Sequence, residues 1–262
     1  MTLLWSELRL RRTSLLVWMT AVALLIVTIA AVYPSIRDNP ELNSIYGSLS
    51  PSAQQLLGGS DLTSPEGYLS TQVFAFFVPA VILVFALARG AGTVAGEEEE
   101  RTLDLLMAQP LARWNAYAQK AAAVVVGIGA LCLATALPLF ALNAPVHLDL
   151  PSWHLAGMVT QMFLFCVALA MWSMAVSAAT GRRTVGLAVV VGYVVVSYVV
   201  YGLGSTSSWM GPLRPLSLWR WYLGNDPLKD GFGYVEGSVL LAAALVAVVL
   251  GIWGFDRRDL HA

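Results

Sequence analysis

Residues 97–113 read EEEERTLDLLMAQPLAR, and they interrupt a chain that is otherwise almost entirely apolar. Placing the four glutamates at the centre of a bilayer would cost roughly 10 kcal/mol in total, at about 3 kcal/mol per charge. The segment therefore lies in water between two membrane spans. A long polar element at this position divides the chain into spans before it and spans after it.

At helical spacing this segment has one charged face and one apolar face. The charged face carries Glu97, Glu100, Arg101 and Asp104, and the apolar face carries Leu103, Leu106, Met107 and Pro110. Pro110 ends the predicted helix, and a second helix begins near Leu111 and continues into the next span. Such a helix pair is typical of a docking surface; the alternative is a solvated loop helix without a partner.

Hydrophobic residues make up 58% of the chain and charged residues 12%. The charged share is about half that of a soluble domain, which excludes an ordinary globular enzyme. Six apolar runs are long enough to cross a hydrocarbon core of about 30 Å. They cover residues 14–33, 68–88, 121–142, 155–179, 184–204 and 237–255. The sequence therefore predicts an all-α integral membrane protein with six transmembrane helices in a single domain, residues 1–262.

The distribution of basic residues predicts the orientation. Six spans place eleven Arg and Lys residues on one side and four on the other, so the positive-inside rule puts both termini and the 92–120 region in the cytoplasm. The larger group is Arg9, Arg11, Arg12, Arg89, Arg101, Arg113, Lys120, Arg182, Arg183, Arg257 and Arg258; the smaller is Arg37, Arg214, Arg220 and Lys229. The first apolar run is too long for a signal peptide, so we expect a retained span.

Two flanking segments carry interfacial residues. Residues 1–13 predict a helix lying in the membrane interface, with Trp5, Arg9, Arg11 and Arg12 at the headgroups, or simply a positive flank that sets topology. Residues 205–236 predict two short re-entrant helices, because their prolines break any long helix. Their proposed gate residues are Trp209, Pro212, Pro215, Trp219 and Trp221; an aromatic belt that anchors span six is the alternative.

Polar stripes occur on two spans. Span five carries Tyr193, Ser197 and Tyr201 at four-residue steps, and span four carries Ser173, Ser177 and Thr180 on one face. Hydrogen bonds between helices are the default interpretation, and a translocation path is the alternative.

Several motifs are absent. The sequence has no phosphate-binding loop of the form GxxxxGK[ST], no HExxH and no GxSxG, and no Asp, Glu, Lys, Arg or His falls in the middle of a span. Both cysteines lie in apolar runs and have no partners at zinc-ligand spacing. We therefore expect no catalytic, cofactor or metal site in this chain. A secondary transporter is disfavoured because such proteins usually carry an ionisable group within a span.

The segment between spans two and three resembles a motif of the permease subunits of type-2 (type V) ABC exporters. The residues that match are Thr102, Leu103, Asp104, Leu105, Leu106, Pro110, Leu111, Ala112, Arg113 and Lys120. The chain departs from the family pattern at Arg101, where glycine is common. The Arg-Arg-Asp sequence at residues 257–259 also resembles the usual ending of these permeases.

The resemblance implies a permease that pairs with a second copy or a homologous permease in a prokaryotic cell membrane. Each permease would dock on a separate ATPase subunit, two copies in all, which would hold ATP and Mg; no nucleic acid is involved. The coupling residues would be those of the 97–113 segment. Spans two and five would face the transport path, which makes Phe76, Pro79, Tyr193, Ser197 and Tyr201 its candidate residues.

The cargo implied is amphipathic or apolar, such as a drug, antibiotic, lipid or peptide, because the spans offer aromatic and weakly polar walls without fixed charge. Two other functions stay open at this point. One is a transporter or channel that works without an ATPase, and the other is a membrane enzyme or assembly factor.

Overall fold

The computed structural model describes residues 12–37, 44, 47–50, 53–54, 64–99, 113–204 and 209–257, with side chains described only to residue 96 before the gap and from residue 114 after it. All regular elements within these ranges are helical. Six helices are long and apolar enough to cross a membrane, which confirms the predicted all-α class with six spans. The predicted interfacial helix, except for Arg12, lies outside the described residues.

The six spans follow one another in alternating directions. Span one is Arg12–Arg37, span two begins at Pro65 and ends with the helix Phe77–Glu99, and span three is Arg113–Leu142. Span four is Ser152–Thr180, span five is Arg183–Leu203 and span six is Tyr234–Asp256. Spans two and three extend beyond their apolar runs, so residues 92–99 and 113–120 continue them as helical stems toward the 97–113 segment.

Local sequence signals account for several helix ends. The Ser64 hydroxyl accepts a hydrogen bond from the Gly67 amide at 3.2 Å, and Pro65 occupies the first turn, where its missing N–H costs nothing. Gly181 adopts the left-handed conformation (φ 66°) that closes span four and allows the chain to reverse within two residues into span five.

Span four is the centre of the bundle. Of its most apolar window 72% is buried, against 17% in span one, and it packs against spans two, three, five and six. A helix that is hydrophobic on all sides belongs in such a buried position. Span one packs mainly against span three at the periphery.

The two ends of the bundle differ in composition. The basic end holds the beginnings of spans one, three and five, with Arg12, Lys120, Arg182 and Arg183, and the end of span six, with Arg257. The aromatic end holds residues 209–233, which we call the aromatic segment. The segment contains the 3₁₀ helix Gly211–Leu216 and the short helices Leu218–Leu223 and Pro227–Asp230. It therefore has three short helical pieces rather than the two that the sequence predicts.

Span two is irregular over one stretch. Residues Ser70–Phe74 form a π-helical turn, in which the Ala75 amide donates to the Ser70 carbonyl five residues back at 2.6 Å. The sequence predicts a kink at Pro79, and the irregular stretch lies directly before this proline, which occupies the first turn of Phe77–Glu99. Pro138 lies inside the helix of span three.

Replacing Gly90 by alanine is expected to loosen the contact between spans two and four. A Cβ at this position would lie 2.4 Å from the carbonyl oxygen of Ala170, so one helix must move. Overpacking of this kind costs about 1–3 kcal/mol and exceeds the gain in helix propensity. Thermal unfolding in detergent should show a lower midpoint for Gly90→Ala. Gly96→Ala is the matched control, because a Cβ there meets nothing within 4 Å; equal midpoints for both variants would contradict the packing.

Candidate functional site

The aromatic segment is bound to the side of span five. The Tyr193 hydroxyl donates to the Leu216 carbonyl at 2.7 Å and accepts from the Leu218 amide at 3.2 Å. The Ser217 hydroxyl donates to the Ser197 carbonyl at 2.7 Å. The segment is therefore attached to two successive turns of span five by hydrogen bonds that include its own main chain.

Trp219 shows how far the segment enters the bundle. Its indole N–H donates to the Val194 carbonyl at 3.2 Å. Its ring is buried between the rings of Phe165 and Tyr198, with centroid distances of 4.7 Å and 4.9 Å. Val194 lies nine residues before the end of span five, a distance of about 14 Å at 1.5 Å per residue. This depth supports a re-entrant arrangement of the segment.

Gln161 of span four holds the segment from the other side. Its side-chain NH₂ group donates to the Trp221 carbonyl at 2.9 Å, to the Tyr222 carbonyl at 3.1 Å and to the Asn225 side chain at 2.8 Å, while its amide oxygen accepts from the Gly233 amide at 3.3 Å. Gln161 is fully buried. Burying an amide is tolerable only when its groups are hydrogen-bonded. Here they satisfy carbonyls in the last turn of the short helix Leu218–Leu223, which lack partners within that helix, and the Gly233 amide.

Sequence reasoning missed Gln161. The signal that could have identified it is a single side-chain amide inside a span of 29 otherwise mostly apolar residues. In a bilayer such a group needs a partner, and the partner is main chain that no regular helix satisfies.

Tyr222 connects the aromatic segment to the irregular turn of span two. Its hydroxyl donates to the Phe74 carbonyl at 2.9 Å, and its ring stacks on Phe165 at 4.7 Å. In a π-helical register the Phe74 carbonyl would accept from residue 79, but Pro79 has no N–H. The Tyr222 hydroxyl supplies this carbonyl with a donor from outside span two.

The ionisation of Tyr222 favours its role as a donor. The side chain is completely buried, and this burial raises the pKa of its phenol well above the usual range. The hydroxyl consequently remains protonated at a pH at which an exposed tyrosine ionises, near 10.

The candidate path residues fall into two groups. Phe76 is half exposed, and the centroid of its ring lies 5.6 Å from that of Tyr198 of span five. Tyr193 is partly exposed beside the aromatic segment. Pro79, Ser197 and Tyr201 are buried within the subunit. Phe76 and Tyr193 thus face outward on spans two and five, whereas the other three do not reach the surface of this chain.

Hydrogen bonds between helices, the default interpretation of the polar stripes, are present in both spans. Tyr193 and the Ser197 carbonyl bind the aromatic segment, and the Ser173 hydroxyl of span four donates to the Leu87 carbonyl of span two at 3.1 Å. A path function for the same residues stays a prediction.

The candidate gate residues are also divided. Trp219 is buried, and Trp221 is half-buried with its N–H donating to the Pro215 carbonyl at 2.8 Å. Trp209, Pro212 and Pro215 are exposed. The two inner tryptophans pack the segment, and the three outer residues lie on its surface.

Two apolar grooves meet at Tyr193. The larger, of about 400 Å³, lies between spans four, five and six, with Trp172, Val189, Leu218 and Ala243 among its lining residues. The smaller, of about 180 Å³, runs between span five and the aromatic segment. Both walls are almost entirely hydrocarbon, so neither groove offers a polar substrate more than one or two hydrogen-bonding groups.

At the basic end a buried lysine joins the two stems. The Lys120 ammonium group of span three donates to the Thr93 carbonyl of span two at 2.8 Å, and 3% of the residue is exposed. The stems that flank the 97–113 segment are therefore tied together close to their ends.

The coupling residues themselves are mostly not described. Glu97 is the third residue from the end of the helix Phe77–Glu99 and Arg113 is the first residue of span three, with only their main chain described. The remaining coupling residues lie outside the described residues: Glu100, Arg101, Thr102, Leu103, Asp104, Leu106, Met107 and Pro110. Of the interfacial residues, Arg12 is exposed at the start of span one, and Trp5, Arg9 and Arg11 lie outside the described residues.

Comparison with protein families adds a finding to this geometry. The family model described as ABC-2 family transporter protein matches residues 1–213, which include spans one to five and the start of the aromatic segment. The chain belongs to the ABC-2 transporter family. It is a multi-pass membrane permease with a role in transport. No curated protein matches the chain.

Replacing Gln161 of the permease by leucine is expected to release the aromatic segment. The change keeps the volume but leaves three main-chain groups and the Asn225 side chain without their partner, at about 1–3 kcal/mol for each group that stays buried. Amide hydrogen exchange in residues 218–226 should accelerate at least tenfold. Thr160→Val is the neighbouring control, since Thr160 is exposed and bonds only its own helix. Unchanged exchange in Gln161→Leu would exclude the clamp.

Replacing Tyr222 by phenylalanine is expected to affect span two, although the substitution lies in the aromatic segment. Loss of the hydroxyl leaves the Phe74 carbonyl without this donor, so exchange should increase in residues 70–78 while the stacking on Phe165 persists. Tyr234→Phe removes a hydroxyl from an exposed residue at the same end and should change nothing. An effect confined to residues 209–233 would show that Tyr222 does not support the irregular turn.

Proposed function

We propose that the chain is the transmembrane subunit of an ATP-driven exporter and that it works with a separate ATPase subunit. Membership of the ABC-2 family carries this proposal. The helical stems of spans two and three, joined through Lys120 and Thr93, support it, because they lead directly to the charged and amphipathic 97–113 segment. The ATPase supplies ATP and Mg, and the permease supplies the path.

In this mechanism the 97–113 segment docks in a groove of the ATPase. Its acidic face, which includes Glu97, Glu100 and Asp104, meets basic residues of the ATPase, and Leu103, Leu106 and Met107 enter the groove. Closure of the ATPase pair pushes the segment, and the stems transmit the displacement as rigid bodies. The Lys120–Thr93 hydrogen bond makes both stems move together rather than separately.

The displacement reaches the aromatic end through span two. Its π-helical turn is the compliant point, because its register is already irregular and its Phe74 carbonyl depends on Tyr222. A shift of span two therefore changes the position of the aromatic segment, which acts as the gate. The basic end faces the cytoplasm, with both termini, in line with the distribution of Arg and Lys.

Two permeases, identical or homologous, enclose the path between them. Phe76 and Tyr193 face outward from this chain on spans two and five, and so they are available to line a surface shared with a second permease. The cargo is apolar or amphipathic, since the exposed surfaces of these spans are aromatic and aliphatic.

Charge reversal at Glu97 and Glu100 tests the docking. The double variant Glu97→Lys, Glu100→Lys should reduce the amount of ATPase subunit that co-purifies with the tagged permease in mild detergent at least tenfold. It should also abolish stimulated ATP hydrolysis, because repulsion replaces attraction across the contact. The spans should unfold at the wild-type temperature.

Asp230→Lys is the control, since it reverses an exposed charge at the aromatic end. It should leave ATPase association unchanged. Full co-purification of the ATPase with the double variant, or equal losses in both variants, would contradict docking through the acidic face.

A further inference from the structure

The two grooves beside span five share a wall at Tyr193, and we refer to them together as the apolar track. The smaller groove is lined by Val196 and Val200 of span five and by Leu213 and Leu216 of the 3₁₀ helix, and Tyr193 lines both grooves. From Val200 to Val189 the track covers eleven residues of helix, or about 16 Å at 1.5 Å per residue. Half of a hydrocarbon core of about 30 Å has almost the same depth.

Arg214 follows Leu213, which lines the smaller groove, and lies at the end of span five nearest the aromatic segment. A Cβ on Gly204 would lie 2.4 Å from the Cγ of Arg214, so the arginine side chain packs on the last turn of span five, one turn beyond Val200. The Nε atom of Arg214 is buried and has no hydrogen-bond partner among the described residues. No carboxylate in the described part of the chain pairs with this guanidinium group.

A buried arginine nitrogen without a partner calls for an anionic acceptor, and a guanidinium group binds phosphate oxygens with favourable geometry. The adjacent track accepts hydrocarbon and little else. One class of molecule carries both groups in this order, a phosphate at the membrane surface and a chain that descends one leaflet.

We propose that the permease binds one phospholipid from the leaflet at the aromatic end, with the headgroup phosphate on Arg214 and one acyl chain along span five. The chain lies between Val196, Val200 and the 3₁₀ helix, passes Tyr193 and ends in the larger groove. The Tyr193 hydroxyl is satisfied by the main chain of Leu216 and Leu218, so this residue presents its ring and not a polar group to the chain. The site requires no ATPase.

The lipid shares Tyr193 and the outer surface of span five with the proposed path. Binding there would fill the cleft between span five and the aromatic segment, beside the hydrogen bonds of Tyr193, Ser217 and Trp219 that join the two. The position of the aromatic segment would consequently depend on the lipid.

Native mass spectrometry of the delipidated permease in detergent tests the proposal. Dipalmitoyl phosphatidylglycerol is titrated against dipalmitoylglycerol, which has the same chains and no phosphate. We expect one saturable phosphatidylglycerol per chain and at least tenfold weaker binding of the diacylglycerol. Inorganic phosphate alone should neither bind measurably nor compete.

Two pairs of variants separate the headgroup site from the chain site. Arg214→Gln should weaken the binding of phosphatidylglycerol about tenfold, the effect of losing a charge-assisted hydrogen bond, and leave the binding of the diacylglycerol unchanged. Lys229→Gln removes an exposed charge at the same end and should leave the binding of both lipids unchanged. Val196→Trp should block both lipids, whereas Val195→Trp, with nearly the same exposure (58% against 62%) but outside the grooves, should block neither.

Thermal unfolding of each variant verifies that it is folded. Equal affinity of the wild-type permease for the two lipids would overturn the phosphate site. Equal effects of Val195→Trp and Val196→Trp would overturn the chain site. If formation of a permease dimer displaces the lipid, the track is the interface with a second copy of the chain, and the lipid proposal is wrong. Any of these results leaves the ATPase proposal intact, because association with the ATPase is measured separately.

Discussion

The packing of four spans around Ser152–Thr180 is the constraint on which the rest of this structure depends. In a bilayer the hydrophobic effect does not draw helices together, so close packing and hydrogen bonds between helices must do so. Span four supplies both. Ala170 makes a close main-chain contact at Gly90, Ser173 bonds the main chain of span two, and Gln161 bonds the aromatic segment. The peripheral spans have broad exposed apolar faces that do not pack within this chain.

The two ends of the permease are connected by span two. At the basic end Lys120 ties its stem to span three, and at the aromatic end Tyr222 contacts its π-helical turn. Between these points the helix Phe77–Glu99 is regular. A rigid rod held at one end by a buried amine and supported at the other by a phenol suits the transmission of a displacement along span two.

Much of the architecture follows from the sequence because it depends on local patterns. Six apolar runs predict six spans, and the local pair Ser64 and Pro65 accounts for the start of span two. The density of Trp and Pro in residues 205–236 predicts short, broken helices at a membrane interface. Predicting these features requires only the hydropathy of the sequence, the preferences of residues at helix ends and the geometry of proline.

The remaining features depend on pairings between residues distant in sequence. Tyr222 and Phe74 are separated by 148 positions, and Gln161 and Trp221 by 60. No local pattern distinguishes this tyrosine or this glutamine from others in the chain. The π-helical turn Ser70–Phe74 lies before Pro79 and not at it. The lipid track likewise exists only once span five and the 3₁₀ helix are side by side.

The central place of span four has a consequence for how the permease is made. Ribosomes deliver the chain from its N-terminus, so three helices enter the membrane before the helix that most of them pack on. During that interval Gly90 and Leu87 of span two have no counterpart and face lipid or the insertion machinery. Only after residue 180 has emerged does the nascent bundle acquire its axis, and the last two helices then join a scaffold that already exists.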